Sequence, residues 1–286
     1  MKRYIKMVAA LLALMASFTA CENGDQAFDD YEGGTTVMFV YQSPVRTIVL
    51  GDDEYDTSLD KEHKCKIKAT FAGSYNGRKG YVNVAVDNSL CDHLTFADGT
   101  PVKAMPAEYY SLSTNKLDFK GGMTGETVVQ LTDAFFNDPD AVKNTYVIPL
   151  AMTDQQGFDR ISAGTLKEGA TGSRTNAAIW ETVPKDYVMY CVKYQNKYSG
   201  WWLTHHNTST DNIEKASKVQ ITTRTLNSSV YSVEFQEGST IYKADLLLTF
   251  DANEKCTITS LTDGVTATGT GSWADDALLS WNNKYR

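Results

Sequence analysis

From residue 36 onward, apolar and polar side chains alternate with a period of two in one short run after another. That period belongs to half-buried strands, not helices. In "HKCKIKATF", Cys65, Ile67, Ala69 and Phe71 fall on one face and Lys64, Lys66, Lys68 and Thr70 on the other. This is the pattern of an antiparallel sheet with one wet side. "YVNVAVD" repeats it with Val82, Val84 and Val86 inward. "TVMFVYQ", "RTIVLG", "NKLDF", "ETVVQLT" and "TYVIPLAMT" bring the series to about seven strands over residues 36–153. Proline carries no N–H for a ladder, so Pro149 predicts an edge position or a bulge for the last run. In "DAFFNDPDAVKN", Phe135 and Phe136 are expected to plug the core while Asp138, Pro139 and Asp140 shape a turn.

Residues 154–184 lose the alternation and gain Gly, Ala, Ser and Thr, which predicts a linker with room for a short helical turn. Alternation returns in "DYVMYCVKY", with Val188, Tyr190, Val192 and Tyr194 on one face. It continues in "SKVQITTRTL" and in "IYKADLLLTF", where Tyr242, Ala244, Leu246, Leu248 and Phe250 share a face, and "SVYSVEF", "KCTITSL" and "GVTATGTGSW" fill in between. "SGWW" resembles the G-x-W that opens lipocalin-like barrels, with Gly200 and Trp202 in the matching places. The expected fold is therefore all-β: an N-terminal immunoglobulin-like β-sandwich over 36–153, then a C-terminal antiparallel β-barrel-like (lipocalin-like) module over 185–286. Adjacent residues on a strand face opposite ways, so Trp201 and Trp202 cannot share a core. The G-x-W match puts Trp202 inside and Trp201 outside; Leu203, on Trp201's face, argues the reverse.

The chain opens with Lys2, Arg3 and Lys6, an apolar run from Met7 to Phe18, and small residues leading to Cys21. The run is shorter than the roughly 20 residues a spanning helix needs. It reads as a secretory signal over 1–20, with Cys21 placed for lipidation and residues 21–35 as a flexible acidic tether. A multiply acylated cysteine would hold the chain on a membrane. The formal charge of −8 argues against nucleic acid as a partner. After Cys21, the cysteines are Cys65, Cys91, Cys191 and Cys256. Export permits a Cys65–Cys91 disulfide; buried free thiols are the alternative. No cysteine or histidine spacing matches a metal site, and no cofactor is expected.

Catalytic signals are weak. His205 and His206 are adjacent on a strand and diverge, no G-x-S-x-G occurs, and "GGMTG" lacks the lysine and helix of a phosphate loop. In "GDDEYDTSLD", Asp52, Glu54 and Asp56 alternate without the sixth-position Gly or twelfth-position Glu of an EF-hand, leaving a strand-connecting Ca²⁺ site or a solvated loop. Aromatic residues point elsewhere. They make up 11% of the chain, and all five tryptophans lie in its second half. Sugar rings stack their C–H faces on aromatic side chains, so Trp201, Tyr198, Trp273 and Trp281 are the candidate ligand-binding residues. Core filling is the competing role for each.

Four segments carry a family likeness: "VYQSPVRTIVLGDDEYDTSLDKEHKCKIKA", "VDNSLCDHLTFADGTPVKAMPAEYYSL", "VQLTDAFFNDPDAVKNTYVIPLAMT" and "PKDYVMYCVKYQNKYSG". Together they resemble the exported lipoproteins of Bacteroidota glycan-utilisation loci that begin with a domain of unknown function of the 1735 type. The resemblance implies a lipid anchor, an N-terminal β-sandwich, a variable β-rich C-terminal module and outer-membrane location, at the cell surface or on the periplasmic face. It also implies glycan as ligand and outer-membrane importer proteins as neighbours. Some relatives carry a family-18 glycosidase barrel. The D-x-x-D-x-D-x-E run of that barrel is missing here, so a non-catalytic role is expected. In relatives the stretch resembling "SWNNKYR" is followed by another strand, so the last barrel strand is expected to be missing. A structural lipoprotein docking to an importer is the alternative, and an enzyme built on an unrecognised carboxylate pair is the third.

Overall fold

A computed structural model describes residues 29–40, 45–52, 58–204 and 217–274. Within them the chain is almost entirely β. The strands of the first half are β1 (Thr36–Phe39), β2 (Val45–Leu50), β3 (Lys64–Ala72), β4 (Lys79–Val86), β5 (Lys103–Ala104), β6 (Tyr110–Leu112), β7 (Lys116–Lys120), β8 (Thr124–Leu131) and β9 (Tyr146–Gln156). Three short strands follow, β10 (Arg160–Ile161), β11 (Thr165–Leu166) and β12 (Trp180–Thr182), and then β13 (Tyr187–Tyr194). The last six are β14 (Gly200–Thr204), β15 (Ser217–Thr225), β16 (Ser228–Glu237), β17 (Thr240–Phe250), β18 (Lys255–Ser260) and β19 (Thr268–Ser272).

Two sheets make the sandwich. One runs β10-β1-β3-β8-β6 and the other β2-β13-β9-β4-β7, with β5 added beside β9. Their facing sides form one core, where Phe39, Ile67, Val82, Leu117, Phe119, Ile148 and Tyr190 are sealed from solvent. The alternation of Cys65, Ile67, Ala69 and Phe71 faces this core as their spacing requires. A second, smaller cluster lies on the other side of the β13-containing sheet, where Leu90, Cys91 and Val102 cover Val147, Met189 and Cys191. Cys65 and Cys91 thus sit in different clusters, and all four described cysteines are free thiols. Burial pushes the Cys65 thiol up to about 12, so it is an inert core group.

Three sequence expectations change. β13 belongs to the sandwich and not to a module beginning at 185, because it pairs parallel with β2 and antiparallel with β9. It has no wet face: Val188, Tyr190, Val192 and Tyr194 enter the main core, and Tyr187, Met189 and Cys191 enter the smaller cluster. The expected linker over 154–184 contains the end of β9 and three further strands. β10 pairs parallel with β1, and β11 forms a two-stranded sheet with β12. Arg174 fastens this flap by its ion pair with Asp186 and by lying 5.6 Å above the Tyr187 ring. Trp180 Nε1 donates to the Arg174 carbonyl at 3.0 Å. Pro149 lies in a central strand, not at an edge. Its carbonyl accepts from Asp87 N at 3.0 Å, so its nitrogen faces the same side, where β4 has already turned away into a 3-10 turn. The missing N–H therefore costs the sheet no ladder bond.

One end of the sandwich is closed by the short helix Asp133–Phe136 and the 3-10 turn Pro139–Val142. Phe135 and Phe136 are buried there beneath Tyr194, whose hydroxyl donates to the Phe136 carbonyl at 2.9 Å. Asp138 holds the turn: its Oδ1 accepts from Asp140 N at 2.8 Å, and its Oδ2 from Tyr109 and Tyr146 hydroxyls at 2.8 and 2.6 Å. Desolvation opposes the charge on Asp138, but these donors outweigh it and hold the carboxyl below its usual value of 3.8. A depressed native pKa adds stability that is complete above the unfolded value and disappears as pH falls through the native one. The difference in urea midpoint between the wild-type chain and Asp138→Asn is expected to be largest above pH 5 and to shrink as pH drops below 3.8. A difference that stays constant from pH 6 to pH 3 would contradict this account.

Candidate ligand-binding face

β14 to β19 form a six-stranded antiparallel meander in sequence order, curled into a half-barrel. Its place is set where β13 ends. Gln195 N donates to the Leu50 carbonyl at 2.8 Å, completing the β2 side of the sandwich. The next residue, Asn196, is 4% exposed and enters the half-barrel. Its Nδ2 donates to the carbonyls of Thr225 and Ser228 at 2.7 and 2.9 Å, and to Ser229 Oγ at 3.0 Å. Its Oδ1 accepts from Tyr198 N at 3.2 Å and from Ser199 Oγ at 2.7 Å. A single amide thus ties the β15–β16 turn to the strand leaving the sandwich.

Register defines the two faces of the curled sheet. Gly200, Ile221, Tyr231, Leu246 and Ser260 pair across consecutive strands in one row. Side chains of that parity form the inner face. Toward the sandwich, this face is sealed by Tyr198, Phe250 and Cys256, with Leu248, Ile258 and Trp273 against them. Away from the sandwich it opens. There Phe235 and Tyr242 are direct cross-strand partners, their rings stacked at 5.3 Å and 16°, and they remain 44% and 40% exposed. Both strands meet at the Gly238–Ser239 turn, where Gly238 takes φ +61 as a two-residue hairpin requires. Trp202 lies on the same face, half-buried, and its Nε1 is buried with no hydrogen-bond acceptor among the described residues.

The sequence candidates divide accordingly. Trp201 points outward, 48% exposed, with Lys218 Nζ 4.5 Å above its ring, so a cation already occupies one side of that indole. Leu203 beside it on the outer face is 62% exposed. Tyr198 is 6% exposed and serves as packing: it stacks on Phe250 at 3.7 Å and donates to Glu254 Oε2 at 2.8 Å. Burial and Glu254 together push its phenol far above the ordinary value. Trp273 meets Tyr198 edge-on at 5.5 Å, beneath Lys197 Nζ at 4.7 Å, and closes the same end. These two rings form the floor of the inner face, not its rim. Trp281, Cys21, His205, His206 and residues 53–57 of the acidic run lie outside the described residues. At the two ends of that run, Asp60 accepts from Gly51 N at 2.7 Å through Oδ2. Phe235, Tyr242 and Tyr231 were not singled out by sequence reasoning. The usable signal was the equal distance of Phe235 and Tyr242 from the EGST turn.

A separate groove of about 330 Å³ lies on the flank of the sandwich, lined by Thr114, Lys116, Asp118, Lys120, Gly122, Thr124 and Glu126. Three of its four charged groups are engaged with protein partners. Lys66 pairs with Glu126 at 2.7 Å, Lys116 with Asp118 at 3.5 Å, and Lys116 also lies 4.2 Å above Tyr81. A groove whose charges are mostly engaged already offers a ligand less than an aromatic face does. Among the described residues, no group of three His, Cys, Asp or Glu side chains converges for a metal ion. Among them, too, no helix is long and apolar enough to cross a membrane.

Comparison with known proteins follows this two-part division. Residues 30–159 match a family described as an N-terminal domain, and residues 189–286 match the domain of unknown function DUF5627. A crystal structure of a Bacteroides ovatus protein of unknown function is 32% identical, with a TM-score of 0.78, covering 87% of this chain and 84% of that one. The chain belongs to that protein's family. It is a Bacteroidota family of unknown function whose C-terminal part is the DUF5627 domain, here the half-barrel together with most of β13. A multidomain Bacteroides ovatus protein including DUF1735 is 15% identical with a TM-score of 0.41, covering 80% of this chain and 71% of that one. A Bacteroides ovatus "putative carbohydrate binding protein" is 12% identical with a TM-score of 0.33, covering 83% and 70%. Neither of these two likenesses is close enough to bear on function. No curated protein matches the chain.

The DUF5627 half-barrel hangs on Asn196, and Asn196→Ala strips the donors from two carbonyls and a hydroxyl in a buried position. The expected cost is roughly 3 kcal/mol, read as a lowered urea midpoint. Hydrogen exchange should localise it: amides of β15 and β16 lose protection while those of β3 and β9 keep theirs. Uniform loss across both parts would show that the amide is not a local tie.

Proposed function

We propose that this protein is a non-catalytic glycan-binding lipoprotein of a glycan-utilisation system, held to the outer membrane through Cys21 and facing the cell surface. Binding takes place on the inner face of the DUF5627 half-barrel at its open end. The observation that carries the reading is the stacked Phe235–Tyr242 pair, left about half-exposed above a face otherwise closed by packed aromatics. An exposed aromatic pair is poorly explained by core filling, and it offers flat apolar surface of the kind that sugar C–H faces cover. The rigid floor of Tyr198, Phe250 and Trp273 keeps that surface in place. A signal-like N-terminus followed by Cys21 supports export and anchoring. Resemblance to lipoproteins of glycan-utilisation loci supports the ligand class.

A second reading is favoured by the edges of the meander. Among the described residues β14 and β19 each pair on one side, and every residue of β19 is exposed, as on an edge open to strand addition by an importer or another envelope protein. Pull-down from detergent-solubilised outer membranes would separate the two readings, because a docking protein is retained without glycan.

Affinity electrophoresis of the chain lacking residues 1–21, against gels containing dietary and host polysaccharides, tests the first reading. Retardation is expected in at least one polysaccharide. The double variant Phe235→Ala/Tyr242→Ala should weaken it about tenfold or more while the urea midpoint changes little, because each stacked aromatic is worth ~1 kcal/mol beyond its area. Unretarded migration of folded protein in every gel would refute it.

A further inference from the structure

We infer that the inner face takes an uncharged saccharide, one that presents an acceptor oxygen to the indole N–H of Trp202. The inference rests on the glycan-binding reading above and narrows its substrate class.

The two faces of the half-barrel differ in charge. By the register of the strands, the described inward side chains at the open end are Trp202, Val219, Tyr231, Val233, Phe235 and Tyr242. None of them carries charge, and Ala244 between them is buried. Among the described side chains, the charges sit on the opposite face. Lys218 covers Trp201, Lys243 pairs with Glu234 at 2.5 Å, and Asp245 Oδ1 accepts from Ser232 Oγ at 2.6 Å. A carboxylate or sulfate brought to the inner face would lose hydration and find no described cation there. That loss is severe for an unpaired anion, whereas a neutral hydroxyl or ring oxygen needs only a donor.

Trp202 supplies that donor. Its ring lies one step beyond the Gly200–Ile221–Tyr231–Leu246 row, on the same face as the Phe235–Tyr242 pair. Its Nε1 is buried and lacks an acceptor among the described residues. Indole N–H groups normally find a partner when buried, because an unmade hydrogen bond there is costly. A ligand oxygen at this position relieves that cost and fixes the sugar's orientation over the aromatic pair. Trp273 Nε1 has no partner among the described residues either, but it lies at the sealed end beneath Lys197.

Calorimetric titration of the chain lacking residues 1–21 with neutral hexamers (cello-, malto-, xylo- and chito-oligosaccharides) and with oligogalacturonate of equal length tests this. The tightest ligand is expected to be neutral, with oligogalacturonate at least about tenfold weaker. Trp202→Phe keeps a ring and removes the N–H, and it should weaken the best neutral ligand about fivefold to tenfold. Trp201→Phe, on the outer face, should leave it unchanged. Oligogalacturonate binding as tightly as the neutral series, or Trp202→Phe binding like wild type, would overturn the inference while leaving glycan binding intact. Failure of every oligosaccharide to bind folded protein would remove the glycan-binding reading and this inference with it.

Discussion

The organisation of this protein depends on β13 being buried on both sides. Tyr187–Tyr194 lies between a parallel neighbour and an antiparallel one, so its backbone is satisfied along both edges. Val188, Tyr190, Val192 and Tyr194 fill the main core, while Tyr187, Met189 and Cys191 fill the smaller one. A strand gripped on four sides cannot slide, because a one-residue slip would exchange the contents of two cores. The position at which it releases the chain is therefore fixed to within a residue. Asn196 stands at that position, and its buried amide transmits the placement to the first turn of the half-barrel.

The same strand explains which parts of the fold could be read from sequence. Where one face is wet, alternation is clean: β3 shows it, with four lysine or threonine positions outside and Cys65, Ile67, Ala69 and Phe71 inside. Where both faces are covered, the pattern blurs into a continuous apolar run, and only the covering segment reveals the second face. That segment, around Leu90, Cys91 and Val102, carries few apolar residues and no periodicity, so β13 looked like the start of a new module. The flap over 154–184 was hidden for a related reason. Its strands are two or three residues long, and it is held by Arg174, Asp186 and the Trp180 N–H, not by a repeating apolar face.

Candidate site residues were legible as a class but not as individuals. Aromatic excess in the second half points to the half-barrel, but nothing in residue type separates Phe235 and Tyr242 from the tryptophans. Residue type does not reveal exposure; register does. Tyr198 and Trp273 sit where the chain leaves the sandwich and where β19 ends, so both fall at the closed end and become packing. Phe235 and Tyr242 flank a two-residue turn at the other end, where no further strand covers them among the described residues. Trp201 and Trp202 differ by one position, and that position decides between a lysine-covered indole outside and an unpartnered indole N–H inside.

A curled sheet closed at one end and open at the other suits recognition for a physical reason. Binding free energy is lost whenever side chains must be ordered at the moment of contact. Here the aromatic floor is already ordered: Tyr198 stacks on Phe250, Trp273 meets it edge-on, and Asn196 and Glu254 hold the tyrosine's backbone and hydroxyl. Phe235 and Tyr242 hold one another in parallel before any ligand arrives. Aromatic side chains have only two rotatable bonds to lose, so a pre-stacked pair offers area at small entropic cost. With the paired charges of Lys243 and Glu234 on the outer face, the described side chains at the open end of the inner face carry no charge that would have to shed water. The features that make the inner face unsuited to ions are the ones that make it suited to the flat, uncharged side of a sugar ring.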